Sequence, residues 1–196
     1  MKCLLVATRN KGKIIEIKAL LDGLMDKVLC AVDMPDLPET IEDGATFAEN
    51  ALKKAREACM ATGLPVLADD SGLVVDGLHG RPGVFSARFA GPDADDAANN
   101  RKLVQELGQL SESGRTAAFV CTMAYVTPEG DEQLFEGRVG GIIIDSARGE
   151  HGFGYDPLFL VDGYGQTMAE LPLNEKNRIS HRGQALRAFR DYLAGI

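Results

Sequence analysis

The sequence predicts an α/β fold, a mixed β-sheet with helices packed around it. Three observations carry that expectation. The chain opens with a strand, a polar loop and a helix, the beginning of a βαβ unit. Two later strand-like runs are joined by a hairpin turn. The 196 residues show neither an internal repeat nor a low-complexity segment, so solenoids and disordered arrays are excluded.

The elements follow in order. Cys3-Leu4-Leu5-Val6-Ala7 is a continuous apolar run, as expected of a strand buried on both faces. After a polar loop, Ile14, Ile17, Leu21 and Leu24 recur at helical spacing, with Glu16, Lys18 and Asp22 off that face. Residues 35–44 form a proline- and acid-rich loop. A helix is expected from about residue 46 to 62, with Phe47, Ala51, Ala55 and Ala58 as its apolar stripe and Gly63 and Pro65 at its end. Glu49, Lys53, Arg56 and Glu57 lie on its other faces. Pro65-Val66-Leu67-Ala68 reads as a short strand running into Asp69-Asp70-Ser71-Gly72. Residues 97–107 read as a helix. Residues 117–126 and 134–144 read as strands joined by Pro128-Glu129-Gly130-Asp131. Residues 158–161 are a further strand. The last helix starts near Ser180, a suitable N-cap, and presents Leu186, Phe189 and Leu193.

Length and composition narrow the function classes. One domain over residues 1–196 is expected, able to bury roughly 70% of the surface of the unfolded chain. Hydrophobic residues at 45% and charged residues at 26% fit a globular protein rather than a disordered one. Asp plus Glu number 29 against 21 Lys plus Arg, a net charge of -8. That balance argues against a broad grip on nucleic acid but leaves room for a small anion in a local basic pocket. No apolar run approaches the roughly 20 residues that span a bilayer. The stretch from Met1 and Lys2 to Ala7 is too short for a signal peptide. Cys3, Cys30, Cys59 and Cys121 are scattered, with no C-x-x-C pair for a zinc ribbon or a redox dithiol. They read as thiols of a cytoplasmic protein.

Four segments carry chemistry. Thr8-Arg9-Asn10-Lys11-Gly12-Lys13 joins a buried strand to a helix, where backbone N–H groups and the helix dipole attract anions. A phosphate suits it, although it is not a Walker A loop, because the early glycine is absent and Ile14 replaces the hydroxyl residue. Alone, it could equally be a βα turn with solvated lysines. Asp69-Asp70-Ser71-Gly72 places adjacent acids after a strand, which suggests hard oxygen ligands for Mg2+ beside phosphate. A surface turn is the competing reading. The acids Glu39, Glu42 and Asp43 are a weaker signal of the same kind. Gly152-Phe153-Gly154-Tyr155-Asp156-Pro157 offers an aromatic face for a base, or else a tight turn with core aromatics. Lys176 and Ser180-His181-Arg182-Gly183 form a second basic cluster, competing with plain helix capping.

Together these segments describe a nucleoside triphosphate site, and the chain resembles the Ham1 family of inosine/xanthosine triphosphate pyrophosphatases. The matching stretches are the Thr8–Lys13 loop, Thr46-Phe47-Ala48-Glu49-Asn50-Ala51, Ala68-Asp69-Asp70-Ser71-Gly72-Leu73, Pro82-Gly83-Val84-Phe85-Ser86-Ala87-Arg88, the Gly152–Pro157 segment and Ile179-Ser180-His181-Arg182-Gly183. The resemblance implies a long central mixed sheet, two lobes with the site in the cleft between them, a homodimer and dependence on Mg2+. It implies hydrolysis of ITP, dITP and XTP to the monophosphate and pyrophosphate. On that resemblance Asp70 is the general base and a metal contact, with Asp69 supporting it. Either acid could take the base's role. Glu42 aligns best with the metal-binding glutamate, with Glu39 and Asp43 as alternatives. Thr8, Arg9, Asn10, Lys11, Gly12, Lys13 and Lys176 would hold the phosphates, with Ser71 as another polar contact. Phe153 would stack on the base within Phe153-Gly154-Tyr155-Asp156, and His181 and Arg182 would donate to the 6-oxo group. Two rival readings are a nucleotide-binding regulatory module without catalysis, which would not need the acid pair, and a Maf-type nucleotide pyrophosphatase, which lacks these motifs. A Nudix box is absent.

Overall fold

A computed structural model describes residues 3–108 and 112–195. Met1 and Lys2, which open the stretch read as too short for a signal peptide, lie outside the described residues. The strands are β1 (Cys3–Val6), β2 (Lys27–Cys30), β3 (Val66–Val75), β4 (Thr116–Val126), β5 (Glu132–Ile143) and β6 (Phe159–Val161). The helices are α1 (Lys11–Leu21), α2 (Phe47–Thr62), α3 (Asp96–Leu107), α4 (Leu173–Ile179) and α5 (His181–Ala194). The sheet has the order β2-β1-β3-β4-β5-β6 and is mixed, as expected. β1 pairs in parallel with β2 and β3, whereas β5 pairs antiparallel with β6. No described helix is long and apolar enough to cross a membrane.

Two compact units share the chain. The first comprises Met1–Asp70, Cys121–Gly137 and Arg182–Ile196, and the second comprises Ser71–Val120 and Arg138–His181. In the first unit β1 is buried on both faces, which is why it reads as an unbroken apolar run. Leu4 and Val6 of β1 pack with Ile17 and Leu21 of α1 and with Leu186 and Phe189 of α5. Leu5, between them in sequence, points the other way and packs with Ala51, Ala55 and Ala58 of α2. β4 repeats the division, with Cys121 and Met123 in one cluster and Ala124 and Val126 in the other. The second unit has its own core, built from Leu73 and Val75 of β3, Leu103 and Leu107 of α3, Phe119 of β4 and Phe159 and Val161 of β6.

Helix ends follow their capping chemistry. Thr46 accepts from the Glu49 N–H at 3.2 Å and Asn10 from the Lys13 N–H at 3.1 Å, so each starts a helix. Gly63 closes α2 with φ at 64°, a conformation that costs glycine nothing. The β4–β5 turn closes through the Gly130 N–H on the Thr127 carbonyl and the Thr127 N–H on the Asp131 carbonyl.

Several expectations need correction. The strand expected to stop at Ala68 continues to Val75, so Asp69-Asp70-Ser71-Gly72 is strand rather than turn. β2 and α4 were not foreseen. Leu24 lies beyond the end of α1, and α1 begins at Lys11, so half of the polar loop is its first turn. Glu16, expected off the apolar face, is buried. Ser180 closes α4 and stands immediately before α5.

Gly72 explains why the Pro82–Arg88 stretch travels with the acid pair. The Ser86 hydroxyl accepts from the Leu73 N–H at 2.9 Å and donates to the Gly83 carbonyl at 2.6 Å. A Cβ on Gly72 would stand 2.3 Å from that hydroxyl and 2.5 Å from that carbonyl oxygen. Neither can give way without losing its bond. Gly72→Ala should therefore destabilise the protein by about 1–3 kcal/mol, the usual cost of overpacking. Thermal melts check this, at about 2–4 °C of Tm per kcal/mol for a chain of this size. An unchanged Tm would refute the close approach.

Candidate active site

In the first unit, charged groups converge on Asp69. The Lys13 ammonium is 2.8 Å from Asp69 Oδ2 and the Arg182 guanidinium 3.4 Å from the same oxygen. Arg182 also pairs with Glu16, and both side chains are buried. Burial alone would raise the Asp69 pKa. Lys13, Arg182 and Lys54 outweigh it and hold the carboxyl well below the usual carboxylate range. Asp69 is thus a fixed anion.

Asp70 has a different setting. Successive strand residues point to opposite faces, so adjacency in sequence does not make the two acids neighbours in environment. Asp70 accepts from the Asn50 amide at 2.9 Å. The Asn50 carbonyl oxygen is taken by the Gly44 N–H at 2.8 Å, which orients the amide so that its NH2 is offered to Asp70. Burial pushes the Asp70 carboxyl up, Lys54 and the Asn50 bond pull it part of the way back, and the negative charge of Glu42 pushes it up again. The net shift is upward.

Lys54 links the acids. Its ammonium donates to Glu42 at 2.9 Å and to the backbone carbonyl of Asp69 at 2.6 Å. Burial works against its charge, but Asp69, Glu42 and Asp70 more than compensate and raise its pKa. Arg9 donates to the Leu37 carbonyl at 2.7 Å, tying the loop after β1 to the acidic loop that carries Glu42. Thr8 accepts from the Asn10 N–H at 3.2 Å. Asn10 caps α1, so the N–H groups of Lys11 and Gly12 belong to the first helical turn, whose donors have no partner within the helix.

In the second unit, Phe153 is held by its neighbours. Its N–H donates to Asp156 at 2.9 Å, and the Lys176 ammonium reaches the same carboxylate oxygen at 2.6 Å. That ammonium lies 4.9 Å from the centroid of the Phe153 ring. Gly152 has φ at 80°, and a Cβ there would stand 2.1 Å from Asp156, so this position requires glycine twice over. Tyr155 is buried and donates its hydroxyl to the Ser86 carbonyl at 2.8 Å, placing it in the core. Burial raises its pKa. His181 is buried and stacks on Phe119, with centroids 4.9 Å apart and planes 14° from parallel. Ser71 starts the part of β3 that belongs to this unit.

The first unit thus gathers Asn10, Lys13, Glu42, Asp69, Asp70 and Arg182, and the second gathers Phe153, Asp156 and Lys176. Lys176, expected among the phosphate ligands, is found in the Phe153 group. Sequence reasoning missed Glu16, Asn50 and Lys54. The available signal for the last two was their i, i+4 spacing beside the alanine stripe of α2.

A model of the Ham1 family matches residues 4–192. The chain belongs to the Ham1 family. A curated relative from Geobacter sulfurreducens, named dITP/XTP pyrophosphatase, is 58% identical over 193 residues, covering 98% of this chain and 97% of its own. Another of that name, from Lactiplantibacillus plantarum, is 50% identical and covers 94% of this chain and 91% of its own. Among solved structures, a HAM1 protein from Coxiella burnetii superposes with a TM-score of 0.90 at 40% identity, covering all of both chains. The Staphylococcus aureus Ham1 protein gives 0.88 at 39% identity over 99% of each chain.

The opposed settings of the two Ham1 acids have a consequence for stability. The folded pKa of Asp70 lies above its unfolded value. Its contribution is therefore present below the unfolded pKa and lost as pH rises through the folded one. Asparagine is uncharged throughout and still presents an oxygen to Asn50. In EDTA, Asp70→Asn should melt above the parent at pH 7, with the gap closing towards about pH 4, where the unfolded carboxyl protonates. A variant that melts below the parent at neutral pH would contradict the assignment.

Proposed function

We propose that the protein hydrolyses non-standard purine nucleoside triphosphates (ITP, dITP and XTP) to the monophosphate and pyrophosphate, and so cleanses the nucleotide pool. The observation that carries this is the pair of adjacent acids held in opposite states, one a fixed anion among cations and the other raised in basicity. A binding module has no use for such a pair, whereas a hydrolase needs one group to take a proton.

In this reading, water attacks the α-phosphorus and its oxygen bonds to phosphorus as the bond to the bridging oxygen breaks. Asp70 takes the proton of the water, and pyrophosphate leaves. Asp69 holds Lys13 and Arg182 in place. Thr8, Arg9, Asn10, Lys11, Gly12 and Lys13 bind or neutralise the phosphates, Lys54 joins them, Ser71 adds a polar contact, and Asp156 keeps Lys176 beside Phe153. Phosphoryl chemistry depends mainly on such positioning and charge. Phe153 stacks on the purine, with Gly154, Tyr155 and Asp156 shaping its segment. His181 and Arg182 donate to the 6-oxo group, and the pairing with Glu16 holds the guanidinium ready.

The donor set fits Mg2+. Among the described residues no three His, Cys, Asp or Glu side chains form a metal cage. Mg2+ seldom uses one, binding instead to one or two carboxylates plus substrate phosphates. Glu42 and Asp70 are close enough for the charge of one to shift the other, a repulsion that a cation relieves. These two would hold it, and when bound it would offset phosphate charge.

The units are not separable pieces of chain, because β3, β4 and β5 each change unit partway along, and this supports one catalytic domain over residues 1–196. The four free cysteines support a reducing, cytoplasmic setting. The net charge of -8 supports a small-molecule partner rather than nucleic acid. The resemblance adds a homodimer, for which sedimentation velocity is the test.

A panel of nucleotides with Mg2+ tests the reaction. ITP should yield IMP and pyrophosphate. IDP and orthophosphate as first products would mean attack at the γ-phosphorus and would refute the reading. Asp70→Asn should lower turnover by about 10² to 10⁴, the usual loss of a general base. Arg182→Ala should compress the ratio of kcat/KM for ITP over ATP by about 10- to 100-fold, since adenine lacks the acceptor that this charged donor would use. It also takes a buried cation from Glu16, at about 3–5 kcal/mol of stability, so assays belong well below its melting temperature. A proportional loss for both nucleotides would remove Arg182 from base recognition.

A further inference from the structure

The segment that presents Phe153 is gripped by a helix that no motif pointed to. Asp96 and Asn100 are four residues apart on α3 and therefore share a face. The Gly154 N–H donates to the Asp96 carboxylate at 2.7 Å. The Asn100 amide donates to the Gly154 carbonyl at 2.9 Å. Both backbone polar groups of one residue are thus held by one helix face.

Neither side chain makes the capping bond of the helix. The capping bond at the start of α3 is made by Asp95, which accepts from the Ala98 N–H at 2.7 Å. The next residue along from Asn100, Asn99, is used differently, bonding Ala87 and Ala90. The Asn100 carbonyl oxygen is buried without a hydrogen-bond partner among the described residues. Reversing the amide would set oxygen against the Gly154 carbonyl, so the contact with Gly154 dictates its orientation. Gly154 has φ at 60°, and a Cβ there would meet nothing within 4 Å. The glycine is needed for its left-handed backbone, not for space. Together with the Phe153 N–H on Asp156 and the Phe153 carbonyl, which accepts from the Asp156 N–H at 3.2 Å, four consecutive backbone groups are fixed on either side of the Phe153 Cα.

We propose that Asp96 and Asn100 are positioning residues that preorganise Phe153 for stacking on the purine, acting through the backbone of Gly154. The proposal rests on the reading of Phe153 as the base platform. A residue that only sets the base platform affects binding of the base in the ground and transition states alike. It therefore changes KM more than kcat and leaves recognition of the phosphates untouched.

The test compares ITP with inorganic tripolyphosphate, which has phosphates but no base. Asn100→Ala and Asp96→Ala should each raise KM for ITP roughly five- to thirtyfold, as loss of one ordered hydrogen bond implies. The kcat and the inhibition constant of tripolyphosphate against ITP should each stay within about twofold, the precision that separates base from phosphate effects. Asp96→Asn keeps an acceptor oxygen and should recover most of the loss seen in Asp96→Ala. Equal weakening of ITP and tripolyphosphate would reveal a merely structural role and overturn the proposal. So would an unchanged KM in both alanine variants. Phe153→Ala separates this failure from that of the underlying reading. If it raises KM while the α3 variants do not, only the grip by α3 is wrong. If it leaves KM unchanged, the base platform itself is wrong.

Discussion

The first unit is organised around a buried carboxylate that is never allowed to become neutral. Asp69 is 3% exposed, and an isolated charge at that depth would take up a proton. Lys13 from α1, Arg182 from α5 and Lys54 from α2 prevent this. Each belongs to a different helix, so the charge balance of one side chain specifies where three helices pack. Glu16 completes the arrangement by balancing Arg182 from α1. Buried ion pairs add little net stability compared with apolar packing, but breaking one is costly. The cluster therefore acts less as a source of stability than as a constraint on geometry.

That constraint permits Asp70 its contrary role. Asp70 feels the same cations less, so that Lys54, the Asn50 amide and Lys13 do not outweigh burial and Glu42. The period of two along β3 separates the settings without any insertion or turn. A turn, as the sequence suggested, would have let both acids share solvent and titrate alike. Strand geometry is what makes them different.

Much of this could be read beforehand. The helix from residue 47 to 62 was visible because Thr46, the alanine stripe and Gly63 agree with one another at three independent levels. The site motifs were visible because unusual residues sit side by side in sequence. Glu16, Asn50, Lys54, Asp96 and Asn100 were not, for one shared reason. Each is a polar residue on a helix, and such residues normally face water. What buries or employs them is a partner far along the chain. Glu16 meets Arg182 across 166 positions and Asn100 meets Gly154 across 54. Helical periodicity reports which residues share a face but not what that face meets. The extent of β3 was misjudged for a related reason. Asp, Ser and Gly favour turns locally, and the place of β3 between β1 and β4 in the sheet makes a strand of them.

The same long separations bear on how the site comes into being. Arg182 lies 113 positions from Asp69, and α5 is the last element of the chain. The apolar side of α5, with Ala185, Leu186 and Phe189, packs against β1, α1 and β4. Docking that side is what carries the guanidinium to its two carboxylates. Until it docks, Asp69 and Glu16 lack their deepest cation, and burying them would be unfavourable. Completion of the hydrophobic core and completion of the charged site are consequently one event. A chain truncated before α5 would lose the apolar packing on that side of the sheet and also the electrostatic difference between Asp69 and Asp70 on which the proposed chemistry depends.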